Sequence, residues 1–177
     1  MTEISKKFSK RVTVQDYGKK PTIDGVRLVD LKRHLDDAGE FSELGRLQAG
    51  SLDGLPGFEV KQVNHSLVQP GAVKAWHIHH HQDDVWFVPP DERLLVGLLD
   101  VRAGSATEGH TMRHVAGDGL ARLLFIPRGV AHGAANPYPS AARIIYFVNR
   151  TFDAAKPDEL RLPWDAAGAD FWQLHRG

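Results

Sequence analysis

The sequence has 177 residues, of which 42% are hydrophobic and 25% are charged. These values are typical of one globular domain with its own core. Lys and Arg together number 22, as do Asp and Glu, so we expect no nucleic-acid partner and no membrane-surface partner. The chain has no Cys, which excludes disulfides and thiolate chemistry and favours a cytoplasmic location. Neither a signal peptide nor an apolar run of roughly 20 residues is visible.

Residues 1–20 are basic and polar and predict an extended N-terminal arm, and residues 21–177 predict a single domain. In this domain Gly and Pro separate short apolar or alternating runs, which predicts many strands and few helices. A short helix is expected near Pro157 to Leu160, followed by an irregular tail. The predicted strands are, in chain order, residues 23–31, 40–47, 58–68, 72–81, 85–88, 94–101, 122–126 and 143–149.

This succession of strands and turns predicts a sandwich or barrel. No alternation of strands with helices is visible, which argues against a Rossmann-type fold. On the strand at 58–68, Gln62, Asn64 and Ser66 share one face because side chains alternate along a strand.

Histidines are concentrated in the predicted strand at 72–81. Strand alternation places His77, His79 and His81 on one face of it. In a second stretch, residues 127–136, a Pro-x-Gly turn reverses the chain and presents His132. Because imidazole is costly to bury without partners, two separate stretches that place imidazoles in one interior favour a functional site over simple packing.

These stretches resemble the two signature motifs of the cupin superfamily. The first matches Gly, five residues, then His-x-His at 71–79, and the second matches Pro-x-Gly-x-x-His-x-x-x-Asn at 127–136. Asp84 stands where the first motif usually has Glu. The resemblance implies an all-β cupin jelly-roll β-barrel with short peripheral helices, in which three histidines point inward, namely His77, His79 and His132.

A closer resemblance, over roughly residues 23 to 172, is to the dTDP-4-dehydrorhamnose 3,5-epimerase family. Seven pieces occur in the family's order, at residues 37–43, 62–66, 74–77, 99–109, 126–133, 146–153 and 162–165. The resemblance implies an isomerase that binds a dTDP-linked 4-keto-6-deoxy sugar inside the barrel. It also implies a homodimer and a reaction that needs no cofactor.

The same resemblance assigns roles to individual residues. His77 matches the base that removes a proton next to the ketone, and His132 matches a second pocket histidine. The residues implied in substrate binding are Glu43, which would reach the pocket of a partner subunit, Gln62, Asn64, Ser66, Lys74 and Phe152.

The sequence also departs from that family. Lys74 replaces an Arg, which keeps the charge but loses the bidentate fork. The family's catalytic Tyr aligns with Phe152, which cannot transfer a proton. The family's Lys after the histidine strand has no counterpart, and no C-terminal carboxylate that would pair with His77 is evident.

These departures leave two alternatives open. The first is a metal-dependent cupin, because converging imidazoles suit divalent Fe, Ni, Mn or Zn and a metal can stabilise an enolate in place of the absent Lys. Its ligands would be His77, His79, Asp84 and His132. The second alternative is a noncatalytic sugar-binding relative.

Overall fold

The computed structural model describes residues 2–15, 17–18 and 21–174. In these ranges the chain forms one four-residue helix, α1 at Lys6–Ser9, and otherwise strands and connections. The strands are β1 Arg27–Asp30, β2 Arg33–Asp36, β3 Gly39–Ser42, β4 Leu47–Gln48, β5 Ser51–Leu52, β6 Gln62–Val68, β7 Val73–Ile78, β8 Asp84–Phe87, β9 Arg93–Asp100, β10 Thr111–Gly117, β11 Arg122–Ile126, β12 Val130–Ala135, β13 Ala142–Val148 and β14 Leu160–Arg161.

Two five-stranded antiparallel sheets form the body of the protein. The first has the order β1-β11-β8-β13-β6 and the second the order β10-β9-β12-β7-β14. Strands β6 to β13 are divided between the two sheets as in a jelly roll, with β6, β13, β8 and β11 facing β7, β12, β9 and β10. The predicted all-β jelly-roll fold is therefore confirmed. Within the described residues the strands pair as two separate sheets and do not close into one hydrogen-bonded cylinder.

The main core lies between the two sheets. Trp86 and Leu124 of the first sheet pack with Val96 and Leu98 of the second. Every residue of β12 is buried because β12 pairs on both sides, with β7 and with β9. This double pairing fixes the position of the histidine that β12 carries.

The C-terminal segment covers the outer face of the second sheet. Trp172 packs on Trp76 of β7 with ring centroids 4.7 Å apart, and both indole N–H groups donate to the Trp164 carbonyl. Gly97 makes this contact possible, because a Cβ there would lie 2.5 Å from the rings of Phe171 and Trp172. The segment thereby holds the outer side of the strand whose inner side carries His77.

Most predicted strands are present, and β11 has the predicted bounds 122–126. Strands β10 and β12 were not predicted from the sequence, and the helix predicted near Pro157 to Leu160 is wrong. The Asp158 carboxylate accepts hydrogen bonds from the backbone N–H groups of residues 80, 81 and 82 at 2.8–3.0 Å. These bonds hold the segment extended, and β14 follows directly.

The predicted N-terminal arm is exposed over residues 2–15, where it includes α1. Residues 1, 16, 19–20 and 175–177 lie outside the described residues, so the arm boundary and the end of the domain stay predictions. Since α1 has four residues, the described part of the chain contains no helix that could span a membrane.

Candidate functional site

A cavity of about 820 Å³ opens between the two sheets, within the ~300–1,000 Å³ range of small-molecule sites. Strands β6, β8 and β13 form one wall, β7 and β12 form the other, and residues 150–161 form part of the rim. Every predicted site residue lines this cavity except Glu43. Glu43 is exposed after β3, where its carboxylate pairs with Arg46 at 2.9 Å.

Strand pairing brings the three predicted imidazoles together. His77 of β7 and His132 of β12 are register partners, and their rings stack with centroids 6.1 Å apart. The His79 ring centroid lies 5.3 Å from that of His132. Gly133 lets the two backbones approach beside this pair, because a Cβ there would lie 2.5 Å from the Cβ of Ala75.

Both ring nitrogens of His77 have partners. Nδ1 lies 3.1 Å from Oε1 of Glu159, and Nε2 lies 2.9 Å from Nη1 of Arg161. A guanidinium can only donate, so Nε2 must be the unprotonated nitrogen and Nδ1 carries the proton that Glu159 accepts. The arrangement matches that of a general base held in one tautomer by a carboxylate.

Strand β14 is the element that brings Glu159 and Arg161 to His77. It pairs with the edge strand β7 so that Arg161 lies opposite His77, and the bonds of Asp158 anchor its start. No carboxylate partner of His77 was predicted from the sequence, and the structure corrects this by placing Glu159 beside it. Glu159 and Arg161 alternate with leucines at 160 and 162, but a run this short is too weak a signal to predict an edge strand from the sequence.

The surroundings of His77 keep its imidazole neutral. Burial and the positive charge of Arg161 lower its pKa to about 4, and the neighbouring imidazoles act in the same direction, while Glu159 opposes them. At neutral pH the ring is therefore a free base rather than an imidazolium.

A second group lies deeper in the cavity. One ligand atom each of His79, Asp84 and His132 lies within 4.8 Å of the others, and all three residues are buried. Nδ1 of His79 pairs with the Asp158 carbonyl, and Nδ1 of His132 lies 3.0 Å from the Val130 carbonyl. Both Nε2 atoms are thus left as acceptors, and that of His132 lies 3.7 Å from Oδ2 of Asp84. Histidines that bind metals are commonly held in this way through the other ring nitrogen.

The carboxylate and its neighbours in this group are themselves oriented. Oδ1 of Asp84 accepts from Gln82 at 2.8 Å, and Oδ2 accepts from the indole of Trp86 at 3.1 Å. Burial lowers the pKa of His132, and Asp84 opposes this effect from 3.7 Å. The structure thus places His79, Asp84 and His132 together but directs both nitrogens of His77 elsewhere, to Glu159 and Arg161.

The polar residues predicted for substrate binding lie on the two walls. Gln62 donates to Asn64 at 2.7 Å along β6, and Lys74 of β7 donates to Ser66 at 3.0 Å. The Gln62 amide oxygen also accepts from the backbone N–H of Phe152 at 2.9 Å. Two further cations line the cavity, Arg150 and Lys156.

Tyr146 also lines the cavity and was not among the predicted site residues. It lies on β13, in register with Trp86 of β8, and therefore on the wall opposite His77. Burial raises the pKa of its phenol, and the carboxylates of Asp84 and Glu159 add to this effect. The phenol therefore keeps its proton at neutral pH and can act as an acid.

Comparison with known proteins agrees with this architecture. Residues 20–172 match the family model described as dTDP-4-dehydrorhamnose 3,5-epimerase. The chain is 40% identical over 143 residues to the spore coat polysaccharide biosynthesis protein SpsL of Bacillus subtilis, a match that covers 81% of this chain and 91% of that protein. It is 29% identical to the probable low-salt glycan biosynthesis epimerase Agl13 of Haloferax volcanii, covering 82% of this chain and 90% of that protein.

A solved structure of a similar protein shares the fold of this chain. The dTDP sugar isomerase of Desulfovibrio desulfuricans superposes with a TM-score of 0.71 at 27% identity, over 81% of this chain and 87% of that one. The family model covers most of the chain, and SpsL exceeds 30% identity over four-fifths of it. This chain therefore belongs to the dTDP-4-dehydrorhamnose 3,5-epimerase family, a family of isomerase-class enzymes.

Proposed function

We propose that this protein epimerises a dTDP-linked 4-keto-6-deoxy sugar at a carbon next to the ketone, with His77 as the general base. The observation that carries the proposal is the hydrogen-bonded pair of the neutral His77 imidazole and the Glu159 carboxylate, which lies on the wall of the cavity. A relative from Legionella pneumophila whose fold is shared, with a TM-score of 0.71 at 23% identity, was solved with dTDP-4-keto-L-rhamnose. We extend that class of ligand to this chain.

In the first step Nε2 of His77 takes the proton from the carbon next to the ketone. The electron pair of the broken C–H bond forms a C=C bond, and the carbonyl oxygen becomes the enolate oxygen. Glu159 accepts from Nδ1 and stabilises the imidazolium that forms. Because His77 is neutral above pH about 4, it can act as the base throughout the neutral range.

Inversion at that carbon requires a proton donor on the opposite face. Phe152 occupies the place of the family's Tyr and has no proton to give. Tyr146 lines the cavity from the sheet opposite His77, and its raised pKa keeps the phenol protonated. We assign the second transfer to Tyr146, after which solvent returns its proton and removes the one on His77.

The remaining cavity residues suit the other parts of such a substrate. Gln62, Asn64 and Ser66 form a polar row along β6, and Lys74 faces them across the cavity. Lys74 and the other cavity cations can neutralise the diphosphate, and the row can hydrogen-bond the sugar or the base. His132, which is fully buried beside His77, would assist by fixing the position of that ring.

The test is proton exchange in deuterium oxide with dTDP-4-keto-6-deoxyglucose. We expect deuterium to enter at a carbon next to the ketone, detected by NMR, and His77→Ala to remove the exchange. His65→Ala is the matched control, because His65 lies on the outer face of β6, away from the cavity. A raised melting temperature with dTDP but no exchange would instead identify a noncatalytic sugar-binding relative.

We propose that the working form is a homodimer. Leu35 and Phe41 on the β2–β3 hairpin are 68% and 64% exposed, and Val63 and Leu67 form an apolar strip on the outer face of β6. A second copy that covers these residues would also allow Glu43 to reach a neighbouring cavity. Light scattering at two protein concentrations tests this, and a monomer at both would contradict it. The cytoplasmic location remains a prediction.

A metal-dependent reaction is the second candidate, and the buried group of His79, Asp84 and His132 favours it. Two imidazoles and one carboxylate suit Fe, Mn, Ni or Zn. Both imidazoles are held through Nδ1 and the carboxylate accepts from two donors, as the hydrogen bonds around metal-binding residues commonly hold them. A metal bound there would supply Lewis-acid stabilisation of an oxyanion.

Elemental analysis separates the two candidates. Protein purified without chelator should carry close to one metal ion per chain under the metal hypothesis, and Asp84→Asn should lower that content sharply. Asp100→Asn is a control, because Asp100 is buried but pairs with Arg102 at 2.8 Å outside the cavity. Metal-free protein that exchanges deuterium at full rate would exclude the metal candidate.

A further inference from the structure

Arg161 is hydrogen-bonded to Nε2 of His77, the nitrogen that must accept the proton in the proposed reaction. Its Nη1 lies 2.9 Å from Nε2 of His77 and donates to the lone pair there. A carbon acid must bring its C–H carbon to about 3–3.5 Å from that same atom. The guanidinium and the substrate carbon therefore compete for one position, and Arg161 must give way before any proton moves.

The guanidinium is held close to the reaction centre by a second contact. Nη2 of Arg161 lies 3.0 Å from Oε1 of Glu159, the atom that accepts from Nδ1 of His77. The side chain is also 58% exposed, so it has room to shift without disturbing the core. A guanidinium that keeps its contact with Glu159 while leaving Nε2 stays next to His77.

The geometry of an α-carbon acid places the ketone oxygen within reach of that shifted group. The oxygen is bonded to the carbon adjacent to the one that loses its proton. When the C–H carbon replaces Nη1 at Nε2, the ketone oxygen therefore lies beside the displaced guanidinium. A hydrogen-bond donor at the atom where negative charge develops lowers the barrier to proton removal.

We propose that Arg161 caps His77 in the free enzyme and, when the keto sugar enters, stabilises the enolate oxygen in place of the lysine that this chain lacks. This role rests on the proposed epimerase function. In the step, the proton passes to Nε2 of His77 and the carbonyl π electrons move onto oxygen. The electron pair of the broken C–H bond forms the C=C bond, and Arg161 keeps all its protons while it donates a hydrogen bond to the oxyanion.

The other cavity cations are less well placed for this role. Of the four cationic side chains that line the cavity in the described ranges, Arg161 is the one in contact with His77. Lys74 donates to Ser66, and Arg150 and Lys156 lie on the rim segment at 150–161. Because oxyanion stabilisation depends on a donor at the oxygen rather than on positive charge somewhere in the cavity, we assign it to Arg161.

The first test compares Arg161→Gln and Arg161→Lys with the unaltered protein in the deuterium exchange assay. We expect Arg161→Gln to lower kcat by about 10²–10³ with little change in KM, as for loss of one oxyanion donor. Arg161→Lys should recover most of the rate, because it restores the charge and one donor. Arg93→Gln, which removes a surface cation paired with Asp118 at 3.4 Å, should leave kcat and KM unchanged.

The second test needs no substrate. Diethyl pyrocarbonate acylates a free imidazole nitrogen, and mass spectrometry of peptides locates the product at His77. We expect slow labelling of His77 in the unaltered protein and several-fold faster labelling in Arg161→Gln, with the melting temperature of each variant recorded to show that it folds. Equal labelling rates would refute the claim that Arg161 covers Nε2 of His77 in the free enzyme.

The outcomes separate this proposal from the proposed function. If the unaltered protein exchanges deuterium but Arg161→Gln raises KM at constant kcat, Arg161 only binds substrate and the oxyanion role is wrong. If Arg161→Gln raises kcat, the guanidinium is only an inhibitor of His77. No exchange by the unaltered protein would overturn the epimerase function itself, and the oxyanion role with it.

Discussion

Replacing Glu159 with Gln isolates the charge that supports the base. The change keeps the size of the side chain and an acceptor oxygen for Nδ1 of His77. The alternative, in which the amide donates to Nδ1, would place a proton on Nε2, where the Arg161 guanidinium can only donate. In the free enzyme Arg161 therefore favours the tautomer with its proton on Nδ1, and the expected effect of the variant is the loss of charge.

The expected magnitude follows from the distance. At an effective dielectric constant near 20, a full imidazolium and a carboxylate 3.1 Å apart attract by about 5 kcal/mol. The Glu159 side chain is 37% exposed and the imidazolium charge is incomplete in the transition state, so roughly half of this remains, ~2–3 kcal/mol. Since ~1.4 kcal/mol is tenfold in rate, kcat should fall by about 30- to 150-fold.

The measurement is the initial rate of deuterium entry under saturating dTDP-4-keto-6-deoxyglucose. Glu159→Asp tests the geometry, because it keeps the charge on a shorter side chain and should retain more activity than Glu159→Gln. Glu59→Gln removes a surface carboxylate that pairs with Lys61 at 2.9 Å and should have no effect. An unchanged kcat in Glu159→Gln would refute the pairing argument, and a loss near ~10⁴ would indicate a lost tautomer instead.

Three further results are expected. Tyr146→Phe should slow formation of the inverted product by about 10²–10³ while deuterium still exchanges from the His77 face. Adding Phe152→Tyr to that variant should restore part of the lost inversion. The configuration of the product, measured by NMR, decides both. The pKa of His77 in the folded protein is lowered to about 4. As the pH is lowered from 6.5, kcat/KM should therefore stay constant and fall only when the pH passes through about 4. A fall of kcat/KM near pH 6.5 would contradict this expectation. Asp158→Ala removes the carboxylate that accepts hydrogen bonds from three backbone N–H groups. It should lower the melting temperature by several degrees, about 2–4 °C per kcal/mol of stability lost.

The fold and the three imidazoles could be predicted from the sequence because each leaves a local pattern. The His-x-His run and the Pro-x-Gly turn specify the two stretches, and strand alternation gives the inward face. Antiparallel pairing of β7 with β12 then places His77 opposite His132. Such patterns depend on residues close together in the chain, and the long-range pairing follows from the jelly-roll order that they imply.

Glu159 and Arg161 could not be predicted in the same way. Strand β14, which includes Arg161 and directly follows Glu159, has two residues. This is too few for a periodic pattern to outweigh the helix-like run of Pro and two acidic residues before it. The Asp158 carboxylate decides the local structure, because it accepts hydrogen bonds from three backbone N–H groups about 77 residues earlier in the chain. No local rule contains that contact, so the expected helix was wrong and the partner of His77 was missed.

The histidines and their two charged partners lie on different parts of the fold. His77 and His132 lie on strands that pair on both sides or pack against the tail, so a change there would disturb the core. Arg161 lies on the exposed edge strand β14 and Glu159 directly precedes it, in a segment that depends on a few hydrogen bonds. A short edge segment can exchange its charged residues at little cost to folding, whereas core strands cannot. The chain can therefore lack the usual lysine and still present a cation and a carboxylate to the same histidine, because both come from the segment that is easiest to alter.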